Sequence, residues 1–230
     1  MRIITYNTRG SLGMDGVRST GRIANLLRTL TPDIICFQEI HQKIYWSGRE
    51  DQPAVLASLL DRPFSFQRNL DIGLGGYGIG IASRGGIALR KEHLLPSGKE
   101  QRGALELQLR DVGGLRRLTV FCTHWGLEAE ERQEQAKRMV ELIHAAPRPW
   151  IVCGDLNEAP DGEGVRYLLR ATDLQDADAA KNRPTFDTDN PQTRIDYILY
   201  SSELALTHCE VVYADCSDHL PLLADFVRQA

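Results

Sequence analysis

A short apolar run that stops abruptly on polar residues is the feature that most limits how this chain can fold. Ile151, Val152 and Cys153 read as a buried strand, and Gly154-Asp155-Leu156-Asn157 follows at once. Gly154 has no Cβ and permits a sharp turn. Positions i and i+2 of an extended chain point to one side, so Asp155 and Asn157 are expected to face one pocket while Leu156 anchors in the core. A carboxylate that takes up a proton, beside an amide that both donates and accepts, suits chemistry at oxygen. Alone, the stretch is more simply a strand ending in a polar turn, because Gly, Asp and Asn are favoured turn residues.

Similar strand ends recur along the chain. Residues 1–6 are β-branched and aromatic and stop at Asn7. Residues 34–37 form an apolar run ending in Gln38-Glu39, and 118–122 end in Thr123-His124-Trp125. Asp218-His219 stands just before a last strand at 222–227. Between them, apolar spacing predicts helices over 17–30, 52–60, 128–145 and 164–169. Further strands are expected at 64–67 (an edge), 103–109, 194–200 and 209–213, with a hairpin turn at 111–114. The Gly-rich stretch 73–84 lacks both GxGxxG and GxxxxGK[ST], so it reads as a flexible loop entering a strand near Tyr77 rather than a phosphate cradle. Residues 176–192 are polar and aperiodic and read as a long loop, a type often functional in compact domains. No linker or charge block divides the chain. One domain, 1–230, of two packed sheets with helices outside fits this rhythm.

Charge and cysteine usage narrow the setting. A net charge of −4 does not suggest a surface built for polyanions, although local potential matters more than the total. The five cysteines are odd in number, scattered and mostly within apolar runs, without zinc spacing, as expected of small buried hydrophobes in a reducing compartment. No apolar run approaches the ~20 residues of a membrane span. Arg2 to Asn7 already reads as a strand rather than a signal region, so a soluble, cytoplasmic protein is the expectation.

Asn7, Glu39, His124, Asp155, Asn157, Asp218 and His219 each adjoin an apolar strand. Strands of a layered fold would bring such residues to one rim. Oxygen ligands converging there suit a hard divalent cation, Mg²⁺ foremost with Mn²⁺ as a substitute. Two histidines beside them could stabilise or protonate a developing oxyanion. No GxSxG elbow is present, so water rather than a side chain would attack. Singly, each has a plainer role: Asn7 a turn cap, Glu39 a solvent-facing acid, His124 a satisfied interior histidine. Asp196, between Ile195 and Tyr197, would be partly buried and would need a donor, for which His219 is suited.

At this point the chain resembles the endonuclease/exonuclease/phosphatase family, the fold of DNase I and exonuclease III. The resemblance rests on Thr5-Tyr6-Asn7, residues 32–39, Thr123-His124, residues 154–157, residues 194–198 and residues 217–221, in the family's order. It implies an α/β fold: a four-layered α/β-sandwich of two packed mixed sheets flanked by helices. It also implies roles. Glu39 would be the principal Mg²⁺ ligand, with Asn7 and Asp218 on the same cation or its waters. Asp155 would orient or deprotonate water, and Asn157 would hold a phosphate oxygen. His219, oriented by Asp196, would stabilise the transition state, and His124 would contact the phosphate from the other side. Arg102, in an Arg-Gly-Ala-Leu pattern, would be a further phosphate contact.

The substrate divides this family. Abasic-site endonucleases carry an aromatic-rich loop before the Arg-Ile-Asp-Tyr strand; here the loop has one aromatic, Phe186, and the acids Asp178, Asp187 and Asp189. Acids repel a nucleic-acid backbone and few rings are offered for stacking. Glu158-Ala159-Pro160 after the Gly-Asp-x-Asn motif argues against the inositol phosphatases. The expectation is therefore a Mg²⁺-dependent phosphodiesterase or phosphatase acting on a small or lipid-derived phosphoester. A DNA or RNA nuclease is the alternative, and a catalytically silent binding module on the same fold a third. Oligomeric state is not legible.

Overall fold

In a computed structural model, residues 1–229 are described. Two six-stranded sheets pack face to face. The first contains β1 (Arg2–Asn7), β2 (Ile34–Gln42), β3 (Phe64–Ile72), β4 (Gly75–Ser83), β11 (Leu204–Val211) and β12 (Leu222–Arg228), in the order β11-β12-β1-β2-β4-β3. The second contains β5 (Gly86–Leu94), β6 (Gly103–Val112), β7 (Leu115–His124), β8 (Trp150–Asp155), β9 (Gln175–Asp176) and β10 (Asp196–Tyr200), in the order β5-β6-β7-β8-β10-β9. Helices α1 (Thr20–Leu30) and α2 (Gln52–Leu60) cover the first sheet, and α3 (Ala129–Ala145) and α4 (Glu163–Thr172) the second.

Strand alternation builds these four layers. Side chains on a strand point alternately to its two faces. Ile3, Ile34 and Cys36 turn inward against Leu105, Leu107, Val120, Cys122 and Ile151 of the second sheet. Their neighbours Ile4, Ile35 and Phe37 turn outward and meet Ile23, Leu27 and Leu56 of α1 and α2. Phe121, Val152 and Leu199 do the same on the far side, against Met139, Ile143, Val165 and Leu168. Both sheets are thus covered on two faces, and all five cysteines are free and buried. Among the described residues no helix is long and apolar enough to cross a membrane.

The helices carry local start and stop signals. Ser19 caps α1 by accepting from the Arg22 backbone N–H, and Asp51 caps α2 through Ala54. Thr31 closes α1 in the left-handed conformation just before Pro32.

Four expectations are corrected. The Gly-rich stretch is not a loop: β4 runs from Gly75 to Ser83, and only Gly73-Leu74 turn between strands. A Cβ at Gly78 would stand 1.9 Å from the carbonyl oxygen of Gln67, so glycine there serves the close approach of β3. Gly154 is likewise no turn residue. It lies within β8, where a Cβ would come within 2.1 Å of the Thr123 carbonyl oxygen. The strand expected at 209–213 begins at Leu204, a bulge between Leu206 and His208 having broken the alternation. The α1 helix starts at Thr20 rather than residue 17, because Arg18 pairs back to Leu12. β5 was not legible as a strand: it is an edge, mostly exposed, and its Arg90-Lys91-Glu92-His93 run is charged.

Candidate active site

Parallel pairing sets the site. β1 runs parallel to β2 and β7 parallel to β8, so each pair ends at a common edge. Across the second sheet, His124 is in register with Asp155, and Asp155 with Asp196. On the other side, Asn7 is in register with Gln38. The two rims meet, because the Asn7 side-chain amide donates to Glu39 (3.1 Å) and to Asp155 (3.0 Å). Asn7 therefore joins the two sheets, and Glu39 and Asp155 share it.

Glu39 reaches the rim through a bulge. The register of β2 against β4 shifts between Phe37 and Ile40, and Glu39 has φ 58°, in the left-handed region. A non-glycine residue held there costs of order 1 kcal/mol and persists when surrounding contacts demand it. Asn157 adopts the same region, with φ 48°. The chain is thus not extended from Asp155 to Asn157. Instead the Asn157 backbone N–H returns to Asp155 Oδ1 (2.9 Å), and its amide donates to the Trp125 carbonyl oxygen (2.9 Å) and to His124 Nε2 (3.1 Å). Leu156 is fully buried.

Asp155 is the hub. Its Oδ2 lies 3.5 Å from His124 Nε2 and 3.6 Å from His219 Nε2. His219 Nδ1 is bonded to Asp196 Oδ2 at 2.9 Å, and both side chains are buried. That bond leaves Nε2 as the nitrogen directed at Asp155. Burial pushes the Asp155 carboxyl up to about 7, with His219 pulling against it. Burial works against charge on His219, but Asp196 and Asp155 outweigh it and carry the imidazole up to about 10. His124 goes the other way, well below the ordinary histidine value, because it is buried and faces Arg102 and His219. Two histidines that flank one carboxylate oxygen are thus pushed in opposite directions, His124 toward the neutral form and His219 toward the cationic one.

Arg102 is buried, with Nη1 3.2 Å from Nδ1 and 3.4 Å from Nε2 of His124, so the guanidinium lies against the ring rather than in its plane. It pairs with Glu100 at 2.7 Å, and its Nε has no partner among the described residues. Asp218 lines the cleft and pairs with Arg9 at 3.1 Å. All nine residues named from the sequence are in this one neighbourhood. Sequence reasoning missed Arg9, His41, Trp46, Tyr77 and Phe186. His41 follows Glu39 by two on β2, and the bulge hides their relation. Phe186 packs against the His219 ring (centroids 4.8 Å apart) because the 183–193 segment bonds along 218–220. The cleft between these groups has a volume of about 610 Å³.

Two sets could hold a cation. Asp155, Asp196 and His219 bring ligating atoms within 4.8 Å of one another. His219, however, is committed to Asp196 and raised toward its cationic form, a poor ligand. Glu39 is better suited. Burial raises its carboxyl, and its one side-chain hydrogen bond among the described residues is from Asn7. A half-buried carboxylate without a cationic partner is stabilised by a hard divalent ion, and Glu39 and Asp218 offer the oxygen donors that such an ion takes.

Comparison with known proteins agrees with the fold. The Endonuclease/Exonuclease/phosphatase family matches residues 4–219. No curated protein sequence matches significantly. Among solved structures, an endonuclease/exonuclease/phosphatase from Beutenbergia cavernae is 22% identical with a TM-score of 0.85, covering 99% of this chain and 71% of that one. A mannosyl-6-phosphatase from Bacteroides thetaiotaomicron is 19% identical with a TM-score of 0.77, covering 99% of each chain. The human Nocturnin catalytic domain, with a bound sulfate anion, is 22% identical with a TM-score of 0.79, covering 100% of this chain and 94% of that one.

Proposed function

The chain belongs to the endonuclease/exonuclease/phosphatase family, whose members are hydrolases of phosphoesters, and from that premise we propose that it is a Mg²⁺-dependent phosphoesterase acting on a small substrate by activated water. The observation that carries this is the hub at Asp155, one carboxylate reached by Asn7, His124 and His219 from three separate segments.

Asp155 takes the proton from water. Its carboxyl, raised by burial, is matched to base catalysis near neutral pH. His219 keeps its Nε2 proton and presents it to the phosphate oxygens as charge grows on them. Asp196 fixes that tautomer and holds the ring's charge. His124 and Asn157 close the opposite wall, and Arg102 adds positive charge behind His124. Glu39, Asn7 and Asp218 would hold the Mg²⁺, or Mn²⁺ in its place, which when bound offsets charge on the phosphoryl oxygens.

A nuclease is the second reading, and one observation favours it. Asp178 is turned inward onto Arg183, so the loop before β10 exposes fewer acids than its composition suggests. A panel of bis-p-nitrophenyl phosphate, phosphomonoesters and a 20-mer oligonucleotide, run with and without Mg²⁺, tests both. Turnover of the small esters with the oligonucleotide intact supports the proposal. Oligonucleotide cleavage favours the nuclease, and no turnover in any arm removes enzymatic function.

A further inference from the structure

Beside the catalytic cleft lies a second cavity of about 640 Å³, and Trp46 and Ile72 line both. Tyr45 and Trp46 come from a short turn after β2, and Leu74 from the β3–β4 turn. All three are left open: Tyr45 is 72% exposed, Trp46 49% and Leu74 97%. The other two tryptophans, Trp125 and Trp150, are buried. The Tyr45 and Trp46 rings meet edge to face with centroids 5.0 Å apart, a rigid wall. Arg49, on the same cavity, has no side-chain hydrogen bond or ion pair among the described residues, whereas Lys43 is occupied by Asp51 at 3.5 Å.

We propose that this annex holds the alcohol portion of the substrate, and that this portion carries a flat aromatic ring system of the nucleobase kind. The inference rests on the phosphoesterase reading of the adjoining cleft and names its substrate class. A phosphorus atom bound beside Asp155 leaves its ester group a path past Trp46, since the two cavities share that wall. The lining is mostly apolar with few charged groups, the usual make-up of a small-molecule site of this volume. An exposed indole face stacks on a base, and the guanidinium of Arg49 can donate to a ring nitrogen or carbonyl acceptor of that base. The hollow between Tyr45, Trp46 and Leu74, continuous with the cleft through Trp46 and Ile72, argues for a single small moiety; Leu74, exposed at the turn, is the group a bilayer would also meet, and vesicle binding separates the two.

Inhibition constants and calorimetric binding of adenosine 5′-phosphate, ribose 5-phosphate and adenosine test this. The base should strengthen binding of the phosphate ester by ~10-fold or more, as expected of one stacked base. Trp46→Ala should remove most of that advantage, and Leu74→Ser, at a fully exposed position that folding does not need, should reduce it. Equal binding of the two phosphates by the unaltered protein overturns the inference. So does tight binding to phosphatidylcholine vesicles that adenosine fails to displace, which would assign the apolar wall to a membrane surface. Turnover of small phosphoesters without a preference for the base sinks the annex and leaves the phosphoesterase standing. Binding of adenosine through Trp46 with no turnover of any ester keeps the annex and sinks the enzyme.

Discussion

The strand β7 has two ends, and they differ in kind. At its start lies the larger hollow, about 1000 Å³, lined by Arg110, Arg116, Arg117, Arg148 and Arg228. At its finish, roughly 30 Å away by strand rise, lies the smaller cleft proposed as the active site. The arginines of the first are exposed, and apart from Arg148, paired with Glu203 and set over Trp150, none has a side-chain partner among the described residues. The carboxylates and imidazoles of the second are buried and bonded to one another. Hydrated charges impose no order on their neighbours. Buried charges are tolerated only where partners and donors are placed for them, and that placement is what shifts proton affinities. Volume alone would choose the wrong end.

Substitutions at the two ends sharpen that contrast. Asp155→Asn should lower turnover by at least ~100-fold, the usual loss for a general base. Its melting temperature should hold or rise, because a neutral amide relieves the burial cost of the charge; equal loss of fold and rate would break the assignment. His219→Ala should cost ~100-fold in kcat, as for a group stabilising developing charge. Glu39→Gln should act mainly through the cation, moving the Mg²⁺ dependence to concentrations ~10-fold higher or more, as loss of one ligand to a metal site does. Calorimetry of Mg²⁺ binding measures that directly.

A smaller and more specific effect concerns pH. In the proposed mechanism Asp155 acts as the carboxylate, so the rate should climb as pH rises through about 7. His219 in the same mechanism acts as the imidazolium, so the rate should fall as pH passes about 10. Asp196→Asn removes the negative partner that raises His219, and should shift the falling limb to lower pH; an unmoved limb would detach Asp196 from the histidine's charge. At the opposite end, the double change Arg116→Glu and Arg117→Glu should leave turnover of small esters within about twofold, since surface charge beyond a Debye length is screened.

Much of this site was visible in one dimension because chemistry and strand pattern coincide. Apolar runs ending in Asn7, Glu39, His124 and Asp155 announce both a buried strand and a polar rim. The pairing of Asp196 with His219 followed from the need of a buried carboxylate for a donor. Where backbone departed from regular geometry, the reading failed. The left-handed turns at Glu39 and Asn157 leave no mark in composition, so His41 stayed unconnected to Glu39, and the same-side argument for Asp155 and Asn157 gave the right neighbourhood for the wrong reason. The glycines of β4 and Gly154 suggest flexibility in sequence and serve close contact in the fold. Asp178 reads as a surface acid in a polar loop and is buried against Arg183.

Sequence by itself determined the layered α/β class and the residue types at the rim, since alternation and apolar runs are local properties of the chain. Only the tertiary structure decided that β1 with β2, and β7 with β8, finish at one edge, that Asn7 ties the two sheets together, and that Trp46 stands in the wall of the cleft. Those are relations between segments up to 148 residues apart, and nothing in a local pattern encodes which distant partner a strand end will meet.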